Sequence, residues 1–312
     1  MPLSRFESHF PSDTILVADR SGSEQPFSRG LLASSIMPTG LTPGSAHLIA
    51  SEVAAELRRD GIRRITSIEL SQVASLVISR MAGEPIAARY DAWCRVTRST
   101  KPIIVLLGGA SGTGKSTIAT RLASRLSITR VIPTDAVREV MRAFVPKSLV
   151  PELHRSSFEP PPELQSAPFE TIYEGFRRQC NAVASGVASV VSRMVTERED
   201  AIIEGVHVLP GLDLGPAAAS SAAVVVPILI TVGDEAAHRA HFMHRLETHH
   251  GREPHRYLER LATIREIDRR LRAEAREHKV PVVDSTYLDD ALHRIVQIVV
   301  DRAELSLTSD SP

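Results

Sequence analysis

The chain has 312 residues, with 37 acidic and 37 basic side chains, an apolar fraction of 43% and a charged fraction of 24%. That length accommodates one large or two ordinary domains, and balanced charge excludes a global field that would draw nucleic acid or an anionic membrane to the surface. Two cysteines, Cys94 and Cys180, make neither a secreted disulfide framework nor a zinc site, the opening residues lack a signal peptide's apolar core, and no apolar run reaches bilayer length, so a soluble cytoplasmic protein with reduced thiols and no membrane partner is expected.

Residues 1–100 read as a small, mostly helical domain opened by the apolar run Thr14–Ala18. Helical spacing recurs through Leu48, Ile49, Val53, Ala54 and Leu57, and again through Leu70, Val73, Leu76 and Val77. Gly61 stops the first of these helices, and Thr66 or Ser67 caps the second. A further helix over 85–98 carries Tyr90 and Trp93.

From residue 101 to 312 apolar strands alternate with helices. The strand Ile103–Leu107 leads to a helix over Lys115–Leu126, then a strand at Arg130–Pro133 and a helix at Asp135–Phe144. A proline-rich irregular stretch over 145–168 precedes a long helix, Phe169–Glu197. Strands at Ala201–Glu204 and Val224–Val232, helices at Glu235–Thr248 and Tyr257–Glu277, a strand at Val280–Val283 and a helix at Asp289–Ala303 complete the pattern. Apolar strands without alternation, separated by helices, predict an α/β domain whose parallel sheet is covered on both faces.

The first of these strands runs into Gly109-Ala110-Ser111-Gly112-Thr113-Gly114-Lys115-Ser116-Thr117, which fits G-x-x-x-x-G-K-[ST]. Glycines let successive backbone N–H groups turn inward around phosphate oxygens at a helix N-terminus. Lys115 then reaches the β- and γ-phosphates of ATP, and the Ser116 hydroxyl coordinates Mg²⁺. Lysine is rare here, with only Lys101, Lys115, Lys147 and Lys279 among the 37 basic residues, so its presence at 115 carries weight.

Asp135 follows the second strand and belongs at the carboxyl edge of the sheet, where ligands bind in such folds. It reads either as the general base for an acceptor hydroxyl or as a plain N-cap of the helix that starts there. Arg138 and Arg142 share one face of that helix, as grips for an acceptor's phosphate or carboxylate or as a solvated face. Glu204 closes a buried strand in the position of an acid that holds Mg²⁺ or activates an acceptor. His207, just beyond it, is either an anion-binding residue or an ordinary polar contact. Over 235–256, Arg239, Arg245 and Arg252 are the candidates for a lid that closes on the γ-phosphate, against the reading of an exposed charged helix. The histidines of that segment match no metal site.

With these residues in place, the second half resembles the 2-phosphoglycerate kinase family. The resemblance is carried by Gly108–Ser116, by Pro133-Thr-Asp135-Ala-Val-Arg-Glu-Val-Met-Arg142 and by Ile203-Glu-Gly-Val-His207-Val-Leu-Pro210-Gly. It extends to Ile264-Arg-Glu-Ile and Val280-Pro-Val-Val-Asp284. It implies transfer of the ATP γ-phosphoryl group to the hydroxyl of a small phosphorylated metabolite, 2-phosphoglycerate, giving 2,3-bisphosphoglycerate. The first half is similar to an ATP-cone, through Pro26–Ser35, Ala46–Ala50 and Val53–Leu57, although Arg20 is the only cation in Val17–Ser23. The motif alone also admits a kinase of another small hydroxylated metabolite, or a regulator that senses nucleotide without catalysis.

Overall fold

The computed structural model describes residues 14–19, 22–158, 168–216, 222–248 and 254–308, apart from the side chains of 245–248 and 254–256. The chain divides into two compact units after Arg98.

The first unit starts with three very short strands, β1 (Leu16–Ala18), β2 (Glu24–Pro26) and β3 (Arg64–Thr66), in the order β2-β1-β3. β1 pairs antiparallel with β2 and parallel with β3. Four helices follow the chain around this ribbon: α1 (Arg29–Ile36), α2 (Pro43–Arg59), α3 (Ser67–Ala82) and α4 (Glu84–Thr97). Thr66 ends β3 and opens α3 in one step. Its hydroxyl accepts from Glu69 N at 3.2 Å while the Glu69 carboxylate accepts from Thr66 N at 2.9 Å, a reciprocal cap contributing about 1 kcal/mol. Of the apolar positions read from helical spacing, Ile49, Val53, Leu57 and Val77 form the core with Ile15, Leu32, Ile36 and Tyr90, whereas Leu48 and Leu76 are exposed. The little sheet is an addition to the helical expectation: strands of three residues are too short to show a period, and β2 is exposed throughout.

The second unit is built on a five-stranded sheet: β4 (Ile103–Gly108), β5 (Arg130–Pro133), β6 (Ala201–Glu204), β7 (Val224–Thr231) and β8 (Val282–Asp284). The order is β5-β6-β4-β7-β8 and every pairing is parallel. All six residues of β4 are buried, as a central strand covered on both faces requires. On one face Ile104, Leu106, Ala201 and Ile203 meet Val183, Val187 and Val191 of α7 (Phe169–Glu197). Burial of each such side chain is worth about 1.5–3 kcal/mol. α5 (Lys115–Leu126) and the last helix pack together against the strands and α6 (Thr134–Phe144) packs on α7.

The chain then continues as α8 (Glu235–Thr248), α9 (Pro254–Glu259), α10 (Leu261–Glu277) and α11 (Leu288–Thr308). The single helix expected over Tyr257–Glu277 is thus two, parted at Arg260, whose backbone leaves the helical region (φ −102°, ψ 11°). Tyr257 in α9 stacks with Phe242 and meets Phe158 at a tilt, whereas Leu261, Ile264, Ile267 and Leu271 fill the core from α10. The last strand begins later than expected because Val280 N is used in closing α10, on the Ala275 carbonyl at 2.8 Å.

From β4 the chain crosses past β6 to the edge strand β5, returns to β6, and then passes to the other side for β7. The carboxyl ends of β4 and β6 therefore flank the point where the winding reverses, the place where such sheets bind ligands.

Candidate active site

β4 delivers the chain into a turn in which Gly112 and Gly114 take φ +80° and +78°, and Gly114 caps α5 without a side chain. The first N–H groups of α5 are left pointing at the space above the sheet, an arrangement that attracts anions. Lys115 is buried and folds back over the loop, its Nζ 2.7 Å from the Ala110 carbonyl. Thr113 Oγ1 donates to the same carbonyl at 3.1 Å, and the Ser285 hydroxyl lies 2.8 Å from Thr113 O. Ser116 Oγ donates to Glu204 Oε1 at 2.8 Å, with Glu204 only 6% exposed at the end of β6.

A cavity of about 1010 Å³ opens over this edge. Of the residues expected to hold nucleotide, Ser111, Gly112, Gly114, Lys115, Ser116 and Thr117 line it. Gly109, Ala110 and Thr113 form the backing of the turn; Ala110 and Thr113 are buried.

Asp135 and Arg138 face the same cavity from the first turns of α6. Pro133 precedes α6 with no side-chain cap, so Asp135, half-exposed, caps nothing and its carboxylate is presented to the cavity. Arg138 Nε stands 3.9 Å from Asp135 Oδ1, and its Nη1 donates to the Arg155 carbonyl at 2.7 Å. The proline-rich segment, for which the sequence offered no motif, contributes Ser156, Ser157 and Phe158 to the wall; residues 159–167 lie outside the described residues.

Two expectations for the acceptor side need correction. Arg142, one turn beyond Arg138, does not reach the cavity and pairs with Glu139 at 2.7 Å. His207 is fully buried and does not line the cavity. Its Nδ1 lies 2.9 Å from Thr134 Oγ1 and its Nε2 3.3 Å from Gln179 Oε1. The Gln179 amide nitrogen donates to the Glu152 and Arg155 carbonyls, which fixes its oxygen as the acceptor. The proton of His207 is therefore on Nε2, and Nδ1 accepts from Thr134. Burial pushes this imidazole down to about 4; Asp135 opposes that, while Arg138 and Lys115 add to it. The glycine between Glu204 and this network is needed for closeness, since a Cβ at Gly205 would fall 1.8 Å from Thr134 Oγ1.

The lid region also differs from expectation. Arg239 turns away from the cavity, 55% exposed and 3.8 Å from Glu235, and the Arg245 side chain and Arg252 lie outside the described residues. Histidines take the facing positions instead. His238 Nε2 is 2.8 Å from Ser111 O, His241 Nδ1 is 3.0 Å from Gly112 O, and His241 and His244 line the cavity. Their spacing, three residues apart on one helix face, was the available signal. Among the described residues no group of three or more His, Cys, Asp or Glu side chains is placed to hold a metal ion.

No protein-family model matches the chain. A 2-phosphoglycerate kinase of Methanococcus vannielii is 37% identical over 298 residues, covering 93% of each chain. That of Methanopyrus kandleri is 38% identical over 278 residues, 88% of this chain and 84% of the relative. That of Pyrococcus furiosus is 36% identical over 290 residues, 92% and 94% of the two chains. Among solved structures, a gluconokinase from Sinorhizobium meliloti aligns over 68% of this chain and 98% of its own, with TM-score 0.40 at 17% identity.

Proposed function

The chain belongs to the 2-phosphoglycerate kinase family, and from that premise we propose that it transfers the γ-phosphoryl group of ATP to the hydroxyl of 2-phosphoglycerate, giving ADP and 2,3-bisphosphoglycerate. The observation that carries the reading is one cavity lined by Lys115, Ser116 and Glu204 on one side and by Asp135 and Arg138 on the other.

The nucleotide's phosphates lie on the N–H groups of residues 109–117, and Lys115 leaves the Ala110 carbonyl to meet the β- and γ-phosphates. Ser116 and Glu204 offer two hard oxygen donors 2.8 Å apart beside the loop, a set that suits Mg²⁺ and would hold it there. When bound, that ion neutralises charge on the β- and γ-oxygens. Asp135 orients the acceptor hydroxyl and takes its proton as the new O–P bond forms and the bond to the β-phosphate oxygen breaks. Arg138 binds an anionic group of the acceptor, next to Ser156 and Ser157.

Residues 1–100 are taken as an ATP-cone-like module. A cytoplasmic location suits the two unpaired thiols, and among the described residues no helix is long and apolar enough to cross a membrane.

Release of ADP from ATP and Mg²⁺ tests the whole reading, with 2-phosphoglycerate, 3-phosphoglycerate, glycerate or no acceptor present. Release that depends on 2-phosphoglycerate is the expected result. Release with another acceptor alone would reassign the substrate, and binding of ATP with no acceptor-dependent release would leave a nucleotide-sensing regulator.

A further inference from the structure

We propose that His238 and His241 are positioning residues that hold the phosphate-binding loop in shape through its backbone carbonyls and so tie helix α8 to nucleotide binding. The proposal rests on the loop being the nucleotide site.

A loop that turns its N–H groups toward phosphate must turn carbonyls the other way, and those carbonyls need donors of their own. For Ser111 and Gly112 the donors are imidazoles. His238 Nε2 meets Ser111 O at 2.8 Å and His241 Nδ1 meets Gly112 O at 3.0 Å. A carbonyl only accepts, so each bond fixes a proton: on Nε2 in His238 and on Nδ1 in His241. One helix face thus offers opposite ring nitrogens to consecutive carbonyls.

The neighbouring side chains enforce this arrangement. His238 is fully buried and stacks on Phe242, with ring centroids 5.2 Å apart. Burial lowers its basicity, against the opposing pull of the Ser111 carbonyl, and among the described residues its Nδ1 has no partner. The Phe242 ring occupies the space a side chain at residue 112 would need, since a Cβ there would sit 2.3 Å from Cζ. Gly112 is therefore required twice, for φ +80° and for the approach of α8. Phe242 in turn stacks on Tyr257 at 5.2 Å, and Tyr257 meets Phe158 at 5.0 Å, so the same contact reaches the wall of the cavity on the acceptor side.

A loop held this way binds phosphate without first paying to order itself. Removing one donor leaves a carbonyl that no longer fixes the peptide plane, and the neighbouring N–H loses its aim.

The test uses the full chain and four variants. His241→Asn keeps an N–H where Nδ1 was, and His238→Gln keeps one where Nε2 was; His241→Ala and His238→Leu remove them. Titration calorimetry with Mg·ATP reads affinity, and hydrogen exchange at the amides of residues 111–116 reads loop order. The Ala and Leu variants are expected to bind ATP about tenfold more weakly, with faster exchange, and the Asn and Gln variants to stay within about threefold of wild type. KM for 2-phosphoglycerate should move less than KM for ATP. The inference is overturned if all four variants match wild type, or if Asn and Gln are as weak as Ala and Leu. Because His241 is only partly buried, its Ala/Asn pair decides the matter even if His238→Leu fails to fold. A wild-type chain that binds no ATP would instead overturn the nucleotide-site reading beneath it.

Discussion

Ser116 Oγ donates to Glu204 Oε1 at 2.8 Å, joining the first turn of α5 to the end of β6. The contact is possible because β6 is paired directly with β4, with Leu107 opposite Glu204, so the loop that follows β4 rises beside the acid. A carboxylate only 6% exposed at this point is costly without a partner, and one hydroxyl does not offset its charge. Glu204→Gln should therefore fold normally, because its carbonyl oxygen still accepts from Ser116, yet lose about 10²-fold or more in kcat. Turnover measured against Mg²⁺ concentration checks it; wild-type rates in the variant would remove Glu204 from the machinery.

Lys115 and Asp135 approach the cavity from opposite sides, and their losses should look different. Lys115→Met retains the buried stem but removes the charge, so both ATP binding and turnover should collapse. Asp135→Asn keeps the size of a half-exposed side chain that caps no helix, so ATP affinity should hold while kcat falls about 10²–10⁴-fold. Parallel calorimetry and ADP-release assays separate the two patterns. An unchanged rate in Asp135→Asn would exclude a base.

Arg138 and Arg142 look equivalent in the sequence and are not equivalent in the fold. Arg138 lines the cavity and donates to the Leu153 and Arg155 carbonyls, holding the segment that carries Ser156 and Ser157. Arg138→Lys keeps the charge but not the fork, and should raise KM for 2-phosphoglycerate about tenfold or more with little change in KM for ATP. Arg142→Ala loses an exposed pair with Glu139 and should leave both constants within about twofold. Steady-state kinetics on the two variants decide between one gripping arginine and two.

These cases show what could be read in advance. The buried strands and the loop between β4 and α5 announced themselves because each is a local pattern: an apolar run, glycines at fixed offsets, a lysine in a lysine-poor chain. Pairing α8 with the loop was not legible, since it depends on His238 and His241 meeting carbonyls about 127 residues earlier in the chain. The division of roles between Arg138 and Arg142 was hidden for a similar reason. Both lie on one face of α6, and only the return of residues 151–155 shows which one is engaged. His207 misled because a polar residue after a buried strand reads as a site residue, whereas here Thr134 and Gln179 satisfy it in the interior.

That interior histidine makes stability depend on pH. Burial lowers His207 from the ordinary 6.5 to about 4, so the folded chain leaves it neutral over a range where the unfolded chain protonates it. Between those two values the unfolded state binds the extra proton, and stability rises with pH there. The contribution is fully present above about pH 6.5 and is lost as pH falls toward 4, by up to about 3 kcal/mol in all. His207→Gln should be less stable at pH 7, because Thr134 and Gln179 lose a fitted partner, but its denaturation midpoint should fall less between pH 7 and pH 4 than that of wild type. His238, also lowered by burial, remains in both chains, so it drops out of the difference. Urea midpoints for the two proteins at half-unit steps of pH measure that difference directly, and parallel curves would mean that His207 is protonated, or already solvated, in the folded chain.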